Sequence, residues 1–207
     1  MTRLRGLYAI TPDAICQSRE LLIGSVAEAI AGGAAVIQYR DKVSDRDARL
    51  INAQSLAKLC RTRAVPLIIN DDPSLAAGID ADGVHIGGAD ASLEEARRAC
   101  GDRKIIGITC ANSSERALAA ARAGASYIAI GRFYPSRTKP DAPQATLDLL
   151  RAVRAEVTSP ICAIGGITPA HVPALLEAGA DLVAAIEGVF GATDVRAAAA
   201  AYAAHFS

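Results

Sequence analysis

An amide and two cations occur at alternate positions of one short segment, at Gln38, Arg40 and Lys42. Alternate residues of an extended strand point the same way, so these side chains lie together if the strand continues that far. Two cations and an amide on one side of a strand suit the recognition of a diphosphate. The alternative is that Arg40 and Lys42 pair with Asp41 and Asp45 at the surface, where ion pairs contribute little.

Carboxylates follow two further apolar segments of the chain. One segment ends in Asn70, Asp71 and Asp72, and the next is followed by Asp90. Mg²⁺ takes one or two carboxylates, keeps several waters and shares phosphate oxygens, so acidic residues at neighbouring strand ends suit a magnesium site. The alternative is that Asp72, which precedes a proline, and Asp90 only cap helices or stabilise turns.

Glycines and hydroxyls mark candidate phosphate sites. Gly165 and Gly166 follow one apolar segment, and Ile186 and Glu187 end another. Backbone N–H groups in such loops bind phosphate where glycine permits close approach. The segment 136–139, Ser-Arg-Thr-Lys, adds hydroxyl and cationic donors. The alternative for the two glycines is a tight strand-to-helix turn without a ligand.

The three histidines carry less information. His85 lies inside an apolar segment, where a buried imidazole needs a partner. A core histidine bonded to a neighbour and a catalytic histidine therefore both stay open. His171 and His205 fall in helical segments and are assigned no role.

The candidate residues follow short apolar segments, of which the chain contains eight. Ala-, Leu-, Glu- and Arg-rich segments with helical spacing, such as 47–60 and 114–123, separate them. Eight alternating units, with no Gly-x-Gly-x-x-Gly after the first strand, favour an α/β fold of the closed (β/α)8 TIM-barrel type over an open sheet. The carboxyl ends of the strands, where such barrels carry their sites, then hold the candidates. The predicted strands are 7–10, 35–39, 66–69, 83–86, 105–109, 127–131, 161–164 and 182–186.

Length and composition predict a single soluble domain over residues 1–207. The 22 basic and 22 acidic side chains balance, so no net field attracts nucleic acid or an anionic membrane. The five cysteines form no Cys-x-x-Cys pair, which is typical of a reduced chain, and no apolar run approaches the roughly 20 residues of a membrane span. We therefore expect a cytoplasmic protein with small-molecule partners, and whether it forms a homo-oligomer stays open.

Taken in order, these segments resemble the thiamine-phosphate synthase family. The resemblance begins at Leu-Tyr-Ala-Ile-Thr (7–11) and includes Gln-Tyr-Arg-Asp-Lys (38–42), Ile-Asn-Asp (69–71) and Ala-Asp-Gly-Val-His-Ile-Gly (81–87). It continues through 106–109, 131–139, 163–167 and 179–181, and so covers nearly the whole chain. Each motif alone is weak evidence for the family, whereas all of them in this fixed order are specific to it.

The resemblance implies a transferase that joins a pyrimidine diphosphate to a thiazole phosphate and releases pyrophosphate with the help of Mg²⁺. The diphosphate cations Arg40, Lys42 and Lys139 would stabilise the leaving group, and Asp71 and Asp90 would ligate the metal. The residues implied in substrate binding are Gln38, Arg40, Lys42, Asn70, Thr109, Ser136, Arg137, Thr138, Lys139, Gly166, Ile186 and Glu187.

Two positions depart from the family's usual pattern. Ser136-Arg137-Thr138-Lys139 replaces Thr-x-Thr-Lys, which is a mild change, and Glu187 stands where serine is common. Because a carboxylate beside a phosphate is repulsive, we expect Glu187 to point away or to pair with a cation, for which Arg137 is the best candidate. We also expect the polar connection 132–143 to order when diphosphate binds.

Three other functions compete with this interpretation. A thiazole tautomerase resembles the same barrel but needs no metal and lacks part of the Gln-x-Arg-x-Lys, Asn-Asp and Thr-Lys set. A non-catalytic sensor of a phosphate ligand is supported only by Glu187. A sugar-phosphate isomerase would have no use for the paired aspartates and the diphosphate cations.

Overall fold

Eight parallel strands form a closed barrel in the order β1 to β8, and β1 pairs with β8 to complete it. The computed structural model describes residues 4–87, 91–136 and 143–206. The predicted fold class and all eight strands are confirmed, with end shifts of one or two residues. The strands are β1 Gly6–Ile10, β2 Ala34–Tyr39, β3 Leu67–Asn70, β4 Gly83–Ile86, β5 Ile105–Ala111, β6 Tyr127–Gly131, β7 Ile161–Ile164 and β8 Leu182–Ala185.

Helices surround the barrel, and polar side chains begin most of them. Seven side chains accept a hydrogen bond from a backbone N–H of the first turn, which satisfies a donor that the helix leaves unpaired. These caps are Ser18, Asp45, Asp72, Ser92, Ser113, Thr146 and Asp194. The helices are α1 Asp13–Cys16, α2 Arg19–Ala31, α3 Arg46–Thr62, α4 Pro73–Gly78, α5 Leu93–Cys100, α6 Ser114–Arg122, α7 Leu147–Glu156, α8 Val172–Glu177, α9 Glu187–Phe190 and α10 Val195–Ala203, with 3-10 turns at Pro169–His171 and Ala204–Phe206.

The core has two parts, because each strand is buried on both faces. In β1, Leu7 and Ala9 pack between barrel and helices, whereas Tyr8 and Ile10 point into the barrel. This alternation explains why the strands appear in the sequence as continuous apolar segments. The interior cluster also contains Val36, Ile68, Tyr127, Ala129, Cys162, Leu182 and Ala184.

The cysteines behave as small core residues. All five are free thiols, and four are fully buried. Burial raises the pKa of Cys16 to about 12 and that of Cys110 to about 11, so neither supplies a thiolate near neutral pH.

No helix in the described part of the chain is both long enough and apolar enough to cross a membrane.

Candidate active site

A cavity of about 760 Å³ opens at the carboxyl ends of the strands. Every predicted site residue that the structure describes lines it, so the barrel brings together residues of β2, β3 and β5 and of the segments that follow β2, β3, β6, β7 and β8. These residues are Gln38, Arg40, Lys42, Asn70, Asp71, Thr109, Ser136, Gly166, Ile186 and Glu187. The other predicted site residues, Asp90, Arg137, Thr138 and Lys139, lie outside the described residues.

Asp13 organises two of the cations that line the cavity, Arg40 and Lys42. Its Oδ2 lies 3.1 Å from Nη1 of Arg40, and its Oδ1 accepts the backbone N–H of Lys42 at 2.9 Å. Thr11 fixes the same segment, since its hydroxyl accepts the N–H of Arg40 at 2.8 Å and donates to the carbonyl of Arg40 at 2.9 Å. Strand β2 ends at Tyr39, so these loop contacts, and not a continued strand, align Arg40 and Lys42 with Gln38.

The predicted alternative for the cations, pairing with Asp41 and Asp45, is wrong. Asp41 is buried and accepts hydrogen bonds from the Tyr39 hydroxyl and from the N–H groups of Val43 and Ser44. Burial alone raises the pKa of Asp41, but these hydrogen bonds outweigh it and lower the pKa below its usual value. Asp45 caps α3 through the N–H of Ala48.

Lys42 also reaches the acidic side of the cavity. Its Nζ lies 2.6 Å from Oδ2 of Asp71, and Nδ2 of Asn70 donates to the same oxygen at 2.6 Å. Asp72 points elsewhere, capping α4 and pairing with Arg49 at 3.2 Å. The cap interpretation of Asp72 is therefore confirmed, whereas Asp71 faces the cavity.

The floor of the cavity carries a chain of hydrogen bonds. Nε2 of Gln38 donates to the Tyr8 hydroxyl at 2.8 Å, and the hydroxyls of Tyr8 and Tyr127 are 2.6 Å apart. His85 continues the chain, with Nδ1 at 2.8 Å from the Tyr127 hydroxyl and Nε2 at 2.8 Å from the Thr109 hydroxyl. Of the two interpretations of His85, the hydrogen-bonded core histidine is thus realised, and the ring also lines the cavity.

Gly165 and Gly166 allow the loop after β6 to approach the loop after β7. Both have positive φ angles, of 103° and 63°. A Cβ on Gly166 would lie 2.1 Å from the carbonyl oxygen of Pro135, and one on Gly165 would lie 2.3 Å from Cβ of Arg132. The glycines therefore do more than turn the chain, because a side chain at either position would separate the two loops.

Comparisons with known proteins identify the family. The sequence profile described as "Thiamine monophosphate synthase" matches residues 7–189. The chain belongs to the thiamine monophosphate synthase family. A thiamine-phosphate synthase of Nitrosococcus oceani is 51% identical over 203 residues, covering 98% of this chain and 93% of the relative. A thiamine-phosphate synthase of Methylococcus capsulatus is 51% identical over 195 residues, which cover 94% of this chain and 86% of the relative.

A solved structure agrees with this membership. Thiamine phosphate pyrophosphorylase from Pyrococcus furiosus superposes with a TM-score of 0.87 at 33% identity, covering 97% of this chain and 94% of that one. A geranylgeranylglyceryl phosphate synthase from Thermoplasma acidophilum gives a TM-score of 0.70 at 17% identity, which shows a shared barrel fold alone.

Glu187 is the residue for which the resemblance predicted a serine. It is exposed and begins the short helix α9, and a Cβ on Gly191 would lie 2.9 Å from its Oε2. The carboxylate thus lies along its own helix, close to Gly191. Among the described residues no cation lies within ion-pair distance of it, and its predicted partner Arg137 lies outside them.

Four residues that bond to the site residues of this family member were not predicted from its sequence. Thr11 and Asp13 follow the end of β1, which is the part of a barrel that carries function, so their location was a usable signal. Tyr8 and Tyr127 carried a weaker signal, namely phenol hydroxyls within strands that must find a partner when buried. Their partners could not be inferred, because they come from β2 and β4.

His171 has contacts that the sequence did not reveal. Its ring stacks on Tyr134 with centroids 3.6 Å apart, and Nδ1 accepts the N–H of Thr168 at 3.2 Å. It therefore joins the loops after β6 and β7. His205 lies in the 3-10 turn Ala204–Phe206 near the described carboxyl end.

Proposed function

We propose that this protein is a thiamine-phosphate synthase, a transferase that joins an aminopyrimidine methyl diphosphate to a thiazole ethyl phosphate and releases pyrophosphate. The observation that carries the proposal is the juxtaposition of Arg40, Lys42 and Asp71 at one wall of the cavity. Membership of the thiamine monophosphate synthase family supplies the substrate class.

The cations suit a reaction in which a diphosphate leaves. Negative charge grows on the departing pyrophosphate, and Arg40 and Lys42 are held in place by Asp13 before substrate arrives. Preorganised charge of this kind stabilises the transition state without the cost of reorganisation. We propose that Lys139, from the loop after β6, adds a third cation.

The described residues fit a magnesium ion shared with the substrate. In the described part of the chain no three His, Cys, Asp or Glu side chains form a metal site, so an all-protein cage is not available there. Asp71 offers one carboxylate at the cavity wall, and Mg²⁺ characteristically takes one or two carboxylates together with phosphate oxygens and water. We propose that Asp71 and Asp90 hold Mg²⁺, which when bound would neutralise charge on the diphosphate.

The thiazole phosphate is proposed to bind across the cavity. The loops after β7 and β8, with Gly166, Ile186 and Glu187, lie where barrels of this class bind phosphate. Ser136 to Thr138 would contribute donors from the loop after β6. This arrangement would hold the thiazole nitrogen in line with the pyrimidine methylene, so the protein needs no covalent nucleophile.

The test is synthesis of thiamine phosphate by the purified protein from both substrates, with pyrophosphate measured in parallel. We expect equal amounts of both products, and dependence on Mg²⁺. Lys42→Ala should lower kcat/KM at least roughly 100-fold, since it removes a charge from the leaving-group site. Lys58→Ala, an exposed lysine on the outer face of α3, is the matched control. Binding of both substrates without pyrophosphate release would instead support a sensor.

We further propose that the protein acts in the cytoplasm, in agreement with its free, mostly buried cysteines. Fractionation of cells with an antibody to the chain would test this location, and light scattering of the purified protein would test whether it forms a homo-oligomer.

A further inference from the structure

The hydrogen-bonded chain on the cavity floor has a direction. Nε2 of Gln38 can only donate, so the Tyr8 hydroxyl accepts there. Tyr8 has its own hydrogen to place, and among the described residues the Tyr127 hydroxyl is its only acceptor, so we assign Tyr8 as the donor of that bond. The Tyr127 hydroxyl accepts from Tyr8, so its own hydrogen is directed to its other partner, Nδ1 of His85. Since Nδ1 accepts, the ring is neutral and carries its hydrogen on Nε2, which faces the Thr109 hydroxyl.

The two tyrosines are built into the barrel. Tyr8 and Tyr127 are each 1% exposed, and their rings meet edge to face at 5.7 Å. A Cβ on Gly107 would lie 2.0 Å from Cζ of Tyr127, so only glycine leaves room for this ring. Burial raises the pKa of both phenols well above the ordinary range, and both therefore keep the hydroxyl hydrogens that the chain needs.

Both ends of the chain face the cavity. Thr109 is half-buried, and among the described residues its hydroxyl contacts only His85, from which it accepts. Its own hydrogen is then directed to the cavity. At the other end, Oε1 of Gln38 has no partner in the described part of the chain, where no buried side-chain oxygen is left unpaired. That oxygen therefore faces the cavity as an acceptor.

We propose that Tyr8 and Tyr127 are positioning residues which, by holding His85 as the neutral Nε2–H tautomer, make Thr109 a donor and Gln38 an acceptor toward the substrate. A ligand with the complementary pair, a ring nitrogen that accepts and an amino group that donates, would match this floor. An aminopyrimidine has both groups on one edge. The choice of an aminopyrimidine as the ligand rests on the proposed function, whereas the direction of the hydrogen-bonded chain does not.

The first test measures the tautomer without any substrate. Protein labelled with ¹⁵N in its three histidines is examined by NMR at neutral pH, and His85→Asn identifies the signal of His85. We expect the Nε2–H tautomer, and loss of that single state in Tyr127→Phe. Tyr202→Phe, which removes another buried phenol that donates to the carbonyl of Ile167, should leave the His85 signal unchanged. An Nδ1–H tautomer in the wild-type protein would overturn the proposal.

The second test is a double-mutant cycle read in steady-state kinetics. Thr109→Val and Tyr127→Phe should each raise the KM for the pyrimidine diphosphate roughly tenfold, and the KM for the thiazole phosphate should stay the same. The double mutant should raise this KM little more than either single variant does, because both residues act through one hydrogen bond to the substrate. Thr109→Ser keeps the hydroxyl and should retain nearly the wild-type KM. Additive effects, or equal changes in both KM values, would contradict a positioning role.

The two tests separate this inference from the proposed function. If the wild-type protein makes no thiamine phosphate, the proposed function fails, and the tautomer still decides the direction of the chain. If the wild-type protein is active but Tyr127→Phe keeps its tautomer and its KM, the inference fails alone.

Discussion

Nζ of Lys42 lies 2.6 Å from Oδ2 of Asp71, so a cation of the proposed diphosphate site touches a carboxylate of the proposed metal site. Both side chains are partly exposed at the cavity, that of Lys42 by 50% and that of Asp71 by 26%. In the ligand-free protein each therefore keeps the other in place. With a magnesium diphosphate bound as proposed, Lys42 would be free to contact the phosphate oxygens and Asp71 to hold the metal, because solvent-exposed pairs of this kind contribute little to stability.

The first prediction concerns this carboxylate. Asp71→Asn should raise the Mg²⁺ concentration for half-maximal activity roughly tenfold or more, because a neutral amide is a weaker magnesium ligand. Asp90→Ala, at a position outside the described residues, should lower turnover in the same Mg²⁺-dependent way. Rates measured across a Mg²⁺ titration provide the readout.

The control for this prediction is Asp72→Asn. Asp72 caps α4 and pairs with Arg49. Because asparagine keeps the cap and the ion pair is partly exposed, Asp72→Asn should change stability little and leave the Mg²⁺ dependence unchanged. Full activity of Asp71→Asn at limiting Mg²⁺ would reject the metal assignment.

The second prediction concerns Asp13, which holds both cations. Asp13→Asn should raise the KM for the diphosphate substrate by roughly tenfold to 100-fold, because Arg40 then faces an amide NH2 group in place of its carboxylate partner. The amide oxygen of the variant can still accept the N–H of Lys42, so the loss reports on Arg40. Asp148→Asn is the matched control, since its carboxylate pairs only with Arg151 on an exposed helix. An unchanged KM in Asp13→Asn would show that the cations are aligned without it.

The third prediction concerns Glu187. Because its carboxylate lies close to Gly191, Glu187→Ser should change the KM for the thiazole phosphate only a few-fold. Kinetics at low and at high salt measure this, since any direct repulsion of the phosphate would weaken as salt increases. A gain of roughly 100-fold in affinity, about 2.7 kcal/mol, would mean that the native residue opposes this substrate.

The fourth prediction is a pH dependence of stability at Asp41. Its pKa is lowered in the folded protein, so its ionised form stabilises the fold above the unfolded pKa of about 4, and this contribution is lost as the pH falls through the folded value. Asp41→Asn should therefore lower the free energy of unfolding near neutral pH by roughly 1–3 kcal/mol. Urea unfolding between pH 7 and pH 3 should show the free energies of unfolding of the wild-type protein and the variant approaching each other as the pH falls. A difference that stays constant with pH would argue against ionisation of this carboxylate as the cause.

The sequence alone determined the barrel. Strands buried on both faces must be apolar at every position, as Leu7 and Tyr8 in β1 illustrate, and such segments are visible without any knowledge of their neighbours. The number of these apolar segments, and their alternation with helical segments, then favoured a closed barrel over an open sheet. The residues after the strands followed from the same rule, because a parallel barrel places all those ends on one face.

The tertiary structure decided which of these residues touch. Lys42 and Asp71 are 29 positions apart, and Tyr8 and Tyr127 are 119 positions apart. The sequence offered Asp41 and Asp45 as partners for the cations because they are adjacent in the chain, but their carboxylates bond to nearby backbone N–H groups. Pairing over long separations depends on strand register and loop geometry, which local patterns do not encode, and so the positioning roles of Thr11, Asp13, Tyr8 and Tyr127 emerged only from the folded barrel.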